Sequence, residues 1–192
     1  INPMFGHCGE VNFAEGSGME CLQSNVDALL TKIKRKYKEY GIHEKPFVVV
    51  KADNGTYGMG IMTVRDVKDL EALNRRTRNK MSVIKDGQAV DAVLIQEGVH
   101  TIEKQKDCVA EAVVYMLGER VAGGFYRVHS ERGVDENLNA LGAHFAPLAL
   151  SPQHDIPLHF YANGVVARLA ALASSYELGL CRHERVEEVC TC

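Results

Sequence analysis

The run from Pro46 to Met62, PFVVVKADNGTYGMGIM, constrains this chain more than any other part of it. Phe47-Val48-Val49-Val50-Lys51 is a short β-branched stretch of the kind that forms a buried strand, and Gly60-Ile61-Met62-Thr63-Val64 reads as a second strand. Between them, glycines at 55, 58 and 60 allow backbone N–H groups to approach a polyphosphate closely. A Walker loop is excluded because no Lys-Ser/Thr follows the last glycine. A dinucleotide fingerprint is excluded because the glycine order is wrong and a strand, not a helix, comes next. The lysine instead precedes the loop, so a hairpin can cover phosphates as a lid while Lys51 reaches them from the sheet. A glycine-rich hairpin with an incidental lysine explains the same residues equally well.

Around this segment the chain alternates helices with hairpins. Met19, Leu22, Val26, Leu29, Leu30, Ile33, Tyr37 and Tyr40 recur at helical spacing, with Gly41 placed as a C-terminal cap. The lysines and Arg35 at 32–38 lie toward the negative end of that helix's dipole, which is sufficient reason for them. Asp66 is positioned to cap a helix running to about Lys80, whose basic end, Arg75 to Lys80, reads most simply as solvated surface. Strands are expected at Ala89–Gln96 and at 145–150, and a hairpin of Ala110–Leu117 with Arg120–Val128 around Gly118-Glu119. A polar loop spans 132–142, a linker 151–157, and Val165, Val166, Leu169, Leu172, Ala173 and Tyr176 mark a helix ending near Gly179. Residues 1–18 show no period. Hairpins with helices between them predict an α+β fold rather than a doubly wound parallel sheet.

Composition removes several classes of function. At 192 residues with 24% charged residues, the chain is an ordinary globular length and not a disordered one. A formal net charge of -3 gives no general pull toward nucleic acid. No apolar run approaches the roughly 20 residues that cross a bilayer, and Ile1-Asn2-Pro3-Met4-Phe5 does not read as a signal peptide. The six cysteines, at 8, 21, 108, 181, 190 and 192, form no CxxC pair and no zinc spacing. Scattered thiols favour a reducing, cytoplasmic home.

Two further segments carry candidate chemistry. Ala92-Val93-Leu94-Ile95-Gln96-Glu97-Gly98-Val99 is a strand that breaks at Gln-Glu-Gly, where backbone groups can read an adenine rim and a carboxylate can take ribose hydroxyls. It is also an ordinary strand end. Asp135, Glu136, Asn137 and Asn139 are hard oxygen donors within five positions, the type that suits Mg²⁺ shared with phosphate. Arg127 is a candidate for stabilising charge on a phosphoryl group in transfer. Asp, Glu and Asn in a loop are as readily solvated turn residues. His100, His129 and His144 lie near these segments, but nothing in the sequence makes any of them a base or a ligand.

In this order, Lys51 with its glycine loop, the Ile95–Val99 stretch, the Glu111-to-Arg127 unit and the Asn-rich loop resemble the ATP-grasp superfamily. More closely, KADNGTYGMG at 51–60 and GGFYRVH at 123–129, continuing through ERGVDENLN at 131–139, are similar to the proteobacterial type of glutamate–cysteine ligase. The resemblance runs from about Gly9 to Leu178. It implies an ATP-grasp fold, two lobes of antiparallel sheet plus helices clasping nucleotide. The expected divisions are a remnant of a preceding region at 1–18, a central lobe at 19–97, a C-terminal lobe at 98–178 and a tail at 179–192. The implied reaction activates the γ-carboxylate of glutamate with Mg-ATP as an acyl phosphate and joins it to the amine of cysteine, the first step of glutathione formation. By position, Lys51 contacts phosphates, Gly55, Thr56, Tyr57, Gly58 and Gly60 cover them, and Gln96, Glu97 and Val99 hold the adenosine. Arg127 steadies the acyl phosphate, and Glu136, Asn137 and Asn139 are the implied Mg²⁺ contacts. The family's late metal pair, an acid and an Asn one residue apart on a terminal strand, has no obvious counterpart, and Asp135 with Asn137 is the nearest substitute. Family members are longer, with a further region ahead of this one, so the chain is expected to be a C-terminal portion. Other ATP-grasp carboxylate–amine ligases, a nucleotide-binding fragment without catalysis and a plain α+β interaction domain stand as alternatives.

Overall fold

The alternation of buried and half-buried residues along Val48–Ala52 and Val93–Glu97 is what organises the first half of the fold. The computed structural model describes residues 4–55, 59–83, 87–148 and 158–189, with the backbone alone at 158–161 and 180–189. Its contacts divide into two compact units, Ile1–Ile102 with Arg132–Leu141, and Glu103–Glu131 with Gly142–Cys192.

In the first unit, β1 (Phe5–Cys8), β2 (Val48–Ala52), β3 (Ile61–Val64) and β4 (Val93–Glu97) form an antiparallel sheet of order β1-β4-β2-β3. Lys51 lies opposite Ile61 on one side and Leu94 on the other, and Val49 opposite Thr63 and Gln96. Because side chains alternate along a strand, this register puts Val48, Val50, Val93 and Ile95 on one face and Val49, Lys51, Ile61, Thr63, Leu94 and Gln96 on the other. The first face is buried under α1 (Met19–Glu39), whose Leu22, Val26, Leu29, Leu30, Ile33 and Tyr37 form the expected stripe. Burying side chains of this size stabilises by about 1.5–3 kcal/mol each, which is what fastens the helix to the sheet. Gly41, at φ 66, terminates α1, and the Ile42 N–H returns to the Tyr37 carbonyl at 2.8 Å.

Several expectations need correction. The single helix from Asp66 to Lys80 is two: α2 (Lys68–Glu71) and α3 (Arg75–Ser82). Asn74 breaks it, turning extended and accepting the Thr77 N–H at 2.9 Å as a fresh N-cap. The strand expected from Ala89 starts only at Val93. Asp91 and Ala92 give their carbonyls singly to Val11 and Asp53 instead of joining the ladder. The aperiodic N-terminal stretch contains β1, paired along its length with β4.

In the second unit, β5 (Lys104–Gln105), β6 (Cys108–Leu117), β7 (Arg120–His129) and β8 (His144–Pro147) form a second antiparallel sheet in sequential order. The expected β6–β7 hairpin is present, with Gly118 at φ 60 in its turn. The β5–β6 turn was not expected, because its left-handed residues are Lys106 and Asp107, at φ 47 and 67, rather than a glycine. Ala110, Tyr126, Val128 and Leu148 make a small core on one face. Glu111 and Arg127, opposite each other, share the other face with Val113, Tyr115, Phe125 and Phe145. Tyr115 and Phe125 stand 5.9 Å apart, and Phe125 meets Phe145 edge-on at 5.0 Å.

The last helix, α4 (Leu158–Val189), continues past Gly179 and through most of the predicted tail. A glycine inside a helix costs about 1 kcal/mol, too little by itself to end a long one. Its early residues meet the β6–β7 hairpin, where the Arg168 Nε donates to the Glu119 carbonyl at 3.2 Å, and Asn163 reaches Glu103, just ahead of β5. Val166, Leu169, Leu172 and Tyr176 stand exposed. β8 stops at Pro147, and the rest of the predicted strand at 149–150, the linker at 151–157 and Cys190 and Cys192 lie outside the described residues. Among the described residues, no helix is long and apolar enough to cross a membrane.

Candidate active site

Lys51 occupies the open face of the first sheet near the end of β2, and its Nζ donates to the Gln96 Oε1 across the strands at 2.5 Å. The register explains the pairing, since Gln96 sits two positions along β4 from the residue opposite Lys51. Both residues line a cleft of about 300 Å³ whose floor is Val49, Ile61 and Thr63. The strand-end residues Phe47, Glu97, Gly98 and Val99 line it as well, together with Asp135, Glu136 and Asn137 of the acidic loop.

The acidic loop is brought here by contacts no local pattern encodes. The Thr63 Oγ1 donates to the Asp135 carbonyl at 3.3 Å, and the Thr101 N–H to the Val134 carbonyl at 2.7 Å. Arg65 grips the Asp135 carboxylate with Nε at 2.7 Å and Nη2 at 2.6 Å. On the far side of the loop a second depression, of about 490 Å³, is lined by Arg65, Thr77, Lys80, Arg132, Asn137 and Asn139, among others. Thus part of the run 75–80 faces a cavity, although Arg75 and Arg76 are exposed. Glu136 also lines this second depression, and with Arg65 and Arg132 paired to Asp135 and Glu136, Lys80 and the amides are the groups that suit carboxylate or phosphate oxygens there.

Glu97 is placed differently from its neighbour. It belongs to the buried face of β4, 6% exposed, and its carboxylate accepts from the Lys36 Nζ at 3.0 and 2.8 Å and from the Met4 N–H at 2.9 Å. Its side chain is therefore committed to α1 and the start of β1, and the exposed neighbour at this strand end is Val99. The Gly98 N–H is likewise given to the Phe47 carbonyl, at 2.9 Å.

In the glycine loop, the Gly55 N–H bonds the Ala52 carbonyl at 3.1 Å, and Gly60, at φ 62, returns its carbonyl to the Ala52 N–H at 2.8 Å. Thr56, Tyr57 and Gly58 lie outside the described residues. Arg127, in the second unit, is held by Glu111 at 2.5 Å, while its Nε is buried and has no hydrogen-bond partner among the described residues.

The metal candidates form a loosely suited set. The Glu136 Oε1 accepts from Arg132 and the Oε2 from the Gly133 N–H, both at 2.8 Å, and the Asn137 Oδ1 accepts the Asn139 N–H at 2.9 Å. Among the described residues no group of three or more His, Cys, Asp and Glu could hold a metal ion. Magnesium, however, binds through one or two carboxylates with water and phosphate oxygens rather than in an all-protein cage. Glu136 and Asn137, both facing the cleft, fit that shared role.

The Gly133 N–H is the main influence holding the Glu136 carboxyl below the usual glutamate range, with Arg132 adding to it against a burial effect of opposite sign. A lowered folded-state value contributes stability above the usual glutamate range, and that contribution is lost as pH falls through and below it. Acidification through that window is expected to loosen the loop at 133–139 by about 1 kcal/mol or less, the worth of a partly exposed pair. Urea midpoints measured across the window should show this component in the parent chain and not in Glu136→Gln.

The comparisons with known proteins are consistent with one another. The family model for glutamate-cysteine ligase matches residues 1–178. A crystal structure from Methylobacillus flagellatus KT, provisionally assigned as a gamma-glutamylcysteine synthetase, is 52% identical with a TM-score of 0.75 over 94% of this chain. This chain spans 45% of that one. No curated protein matches.

Proposed function

This chain belongs to the glutamate–cysteine ligase family, and we propose that it binds Mg-ATP on the open face of the first sheet for the ligation of glutamate to cysteine in an ATP-grasp manner. The observation that carries this reading is the convergence of Lys51, Gln96 and the oxygen-rich stretch Asp135–Asn137 on one cleft. Lys51 supplies a point charge to the phosphates, and the glycine loop that follows it is proposed to cover them. Phe47 and Val99 supply apolar surface for a base, and Glu97 acts through its buried contacts instead of through a free carboxylate.

In the reaction, a γ-carboxylate oxygen of glutamate attacks the terminal phosphorus of ATP, giving an acyl phosphate and ADP. The cysteine amine then attacks the acyl carbon, phosphate leaves with the bond electrons, and the proton lost from nitrogen goes to the departing phosphate or to water. Neither step asks for a strong protein base if the amine arrives unprotonated, so positioning and charge stabilisation are the protein's share. Arg127 is proposed, from the family resemblance alone, as the group that steadies the acyl phosphate. In the neighbouring depression Lys80, with the Asn137 and Asn139 amides, is proposed to meet the carboxylates of the amino-acid substrate, since Arg65 and Arg132 are already paired with Asp135 and Glu136. A magnesium ion held with the phosphates by Glu136 and Asn137 would offset charge on the transferring group, whereas Asn139, the third implied contact, lines the neighbouring depression instead of this cleft. A cytoplasmic setting goes with this reading.

The test is thermal stability with Mg-ATP, with metal-free ATP as the control, followed by an assay for γ-glutamylcysteine. At about 100 times its dissociation constant, a ligand stabilises the native state by roughly 2.7 kcal/mol. Lys51→Ala is expected to lose more than half of that response while keeping its unliganded melting temperature, since Lys51 faces the open side of the sheet. No shift with millimolar Mg-ATP would sink the nucleotide site. A shift with no product would keep the site and overturn the ligation.

A further inference from the structure

Cys8 ends β1 and Cys21 lies in the first turn of α1, and their Sγ atoms are 3.5 Å apart. The Asn25 amide, one turn further along α1, donates to the Cys8 Sγ at 3.0 Å and the Cys21 Sγ at 3.4 Å. The two thiols differ in access: Cys8 is 2% exposed in the core, whereas Cys21 is exposed. A disulfide bond measures about 2.05 Å, so closure asks for a small approach of the sulfurs, of the size that side-chain torsions supply. Cys8 shares the buried face of the sheet, so the pair is separate from the cleft that Lys51 and Gln96 line.

We propose that Cys8 and Cys21 form a redox site that a low-molecular-weight disulfide converts to an intramolecular disulfide. The exposed Cys21 thiolate attacks one sulfur of the reagent RSSR, forming a mixed disulfide and releasing RS⁻. Cys8 then gives up its proton to solvent, attacks the Cys21 sulfur and expels the second RS⁻. Two protein thiols are oxidised to one disulfide while RSSR is reduced to two RSH. Cys21 reacts first because it is the exposed thiol of the pair, and burial, which pushes the Cys8 thiol up, works in the same direction. The bond ties β1 to α1, next to which Met4, just ahead of β1, and Lys36 of α1 both bond Glu97 of β4.

The experiment equilibrates the whole chain in mixtures of reduced and oxidised glutathione. Acid quenching, alkylation and tryptic digestion follow. No Lys or Arg precedes Lys32, so both cysteines fall in one fragment. That fragment is expected to lose two hydrogens and all alkylation under oxidising mixtures, while the Cys108 fragment remains alkylated. In Cys8→Ser, glutathione is expected to accumulate on Cys21, a species the parent chain does not retain. The proposal is overturned if the parent also stops at glutathionylated Cys21 with Cys8 alkylated, or if both thiols stay alkylated throughout. It is equally overturned if the chain in urea closes the pair with the same selectivity over Cys108, because the closure would then owe nothing to the fold.

Discussion

Replacing Lys36 with alanine is expected to destabilise the chain by about 3–5 kcal/mol, the usual cost of stranding one partner of a buried ion pair. The Lys36 Nζ touches both Glu97 oxygens, at 3.0 and 2.8 Å, and the two side chains are only 14% and 5% exposed. Without the ammonium, a carboxylate in the core would keep a single donor, the Met4 N–H. The reverse change should cost less. Glu97→Gln keeps a neutral acceptor for Met4, and Lys36 has a long stem with which to carry its charge toward water. Lys36→Met combined with Glu97→Leu removes both charges and should recover most of the loss, since the pair's desolvation disappears with it. Urea unfolding of the three variants decides the matter. A loss under about 1 kcal/mol in Lys36→Ala would mean that solvent reaches Glu97, and the buried-pair account would fall.

The second large effect is expected at Gly98. A Cβ there would lie 2.0 Å from the Cε2 of Phe47, well inside contact distance. The ring is 3% exposed and sits edge-on to His100 with centroids 4.9 Å apart, so it has little room to retreat. Gly98→Ala should therefore cost about 1–3 kcal/mol through overpacking. It should also disturb the cleft, because Phe47 and Gly98 both line it. Shortening the ring in Phe47→Leu/Gly98→Ala should return part of the stability, and a double-mutant cycle measures the coupling. If the two substitutions prove additive in urea, the close approach is not what Gly98 is for. The response to Mg-ATP gives a separate reading: the single variant should lose it, whereas a glycine serving only the turn would leave it intact.

Much of the fold is legible in local patterns. The stripe along α1, the β2 run ending in Lys51 and the β6–β7 hairpin are all read from spacing of 3.6 or 2 residues and from turn chemistry. The face shared by Lys51, Thr63 and Gln96 was also within reach, because alternation along three strands fixes it once they pair. Less was legible where a local signal met a competing one. Asn74 outweighed the continuing helical pattern, while Gly179 did not outweigh it, and neither outcome follows from propensities that differ by so little. The short strands β1 and β5 carry no strong signal of their own and exist because a partner strand satisfies their backbone.

The candidate site divides along the same line. The residue types that suit phosphate and metal chemistry stand in the linear sequence, and so does membership of the ligase family, whose model matches residues 1–178. Which side chains are free to work was decided only by the tertiary structure. Glu97 and Gln96 are neighbours with similar chemistry, yet one is committed to Lys36 in the core and the other faces the cleft. Arg65 meets Asp135 and Cys8 meets Cys21 for the same reason. A hydrogen bond or ion pair forms wherever folding brings two groups within about 3 Å, and sequence separation has no part in that distance.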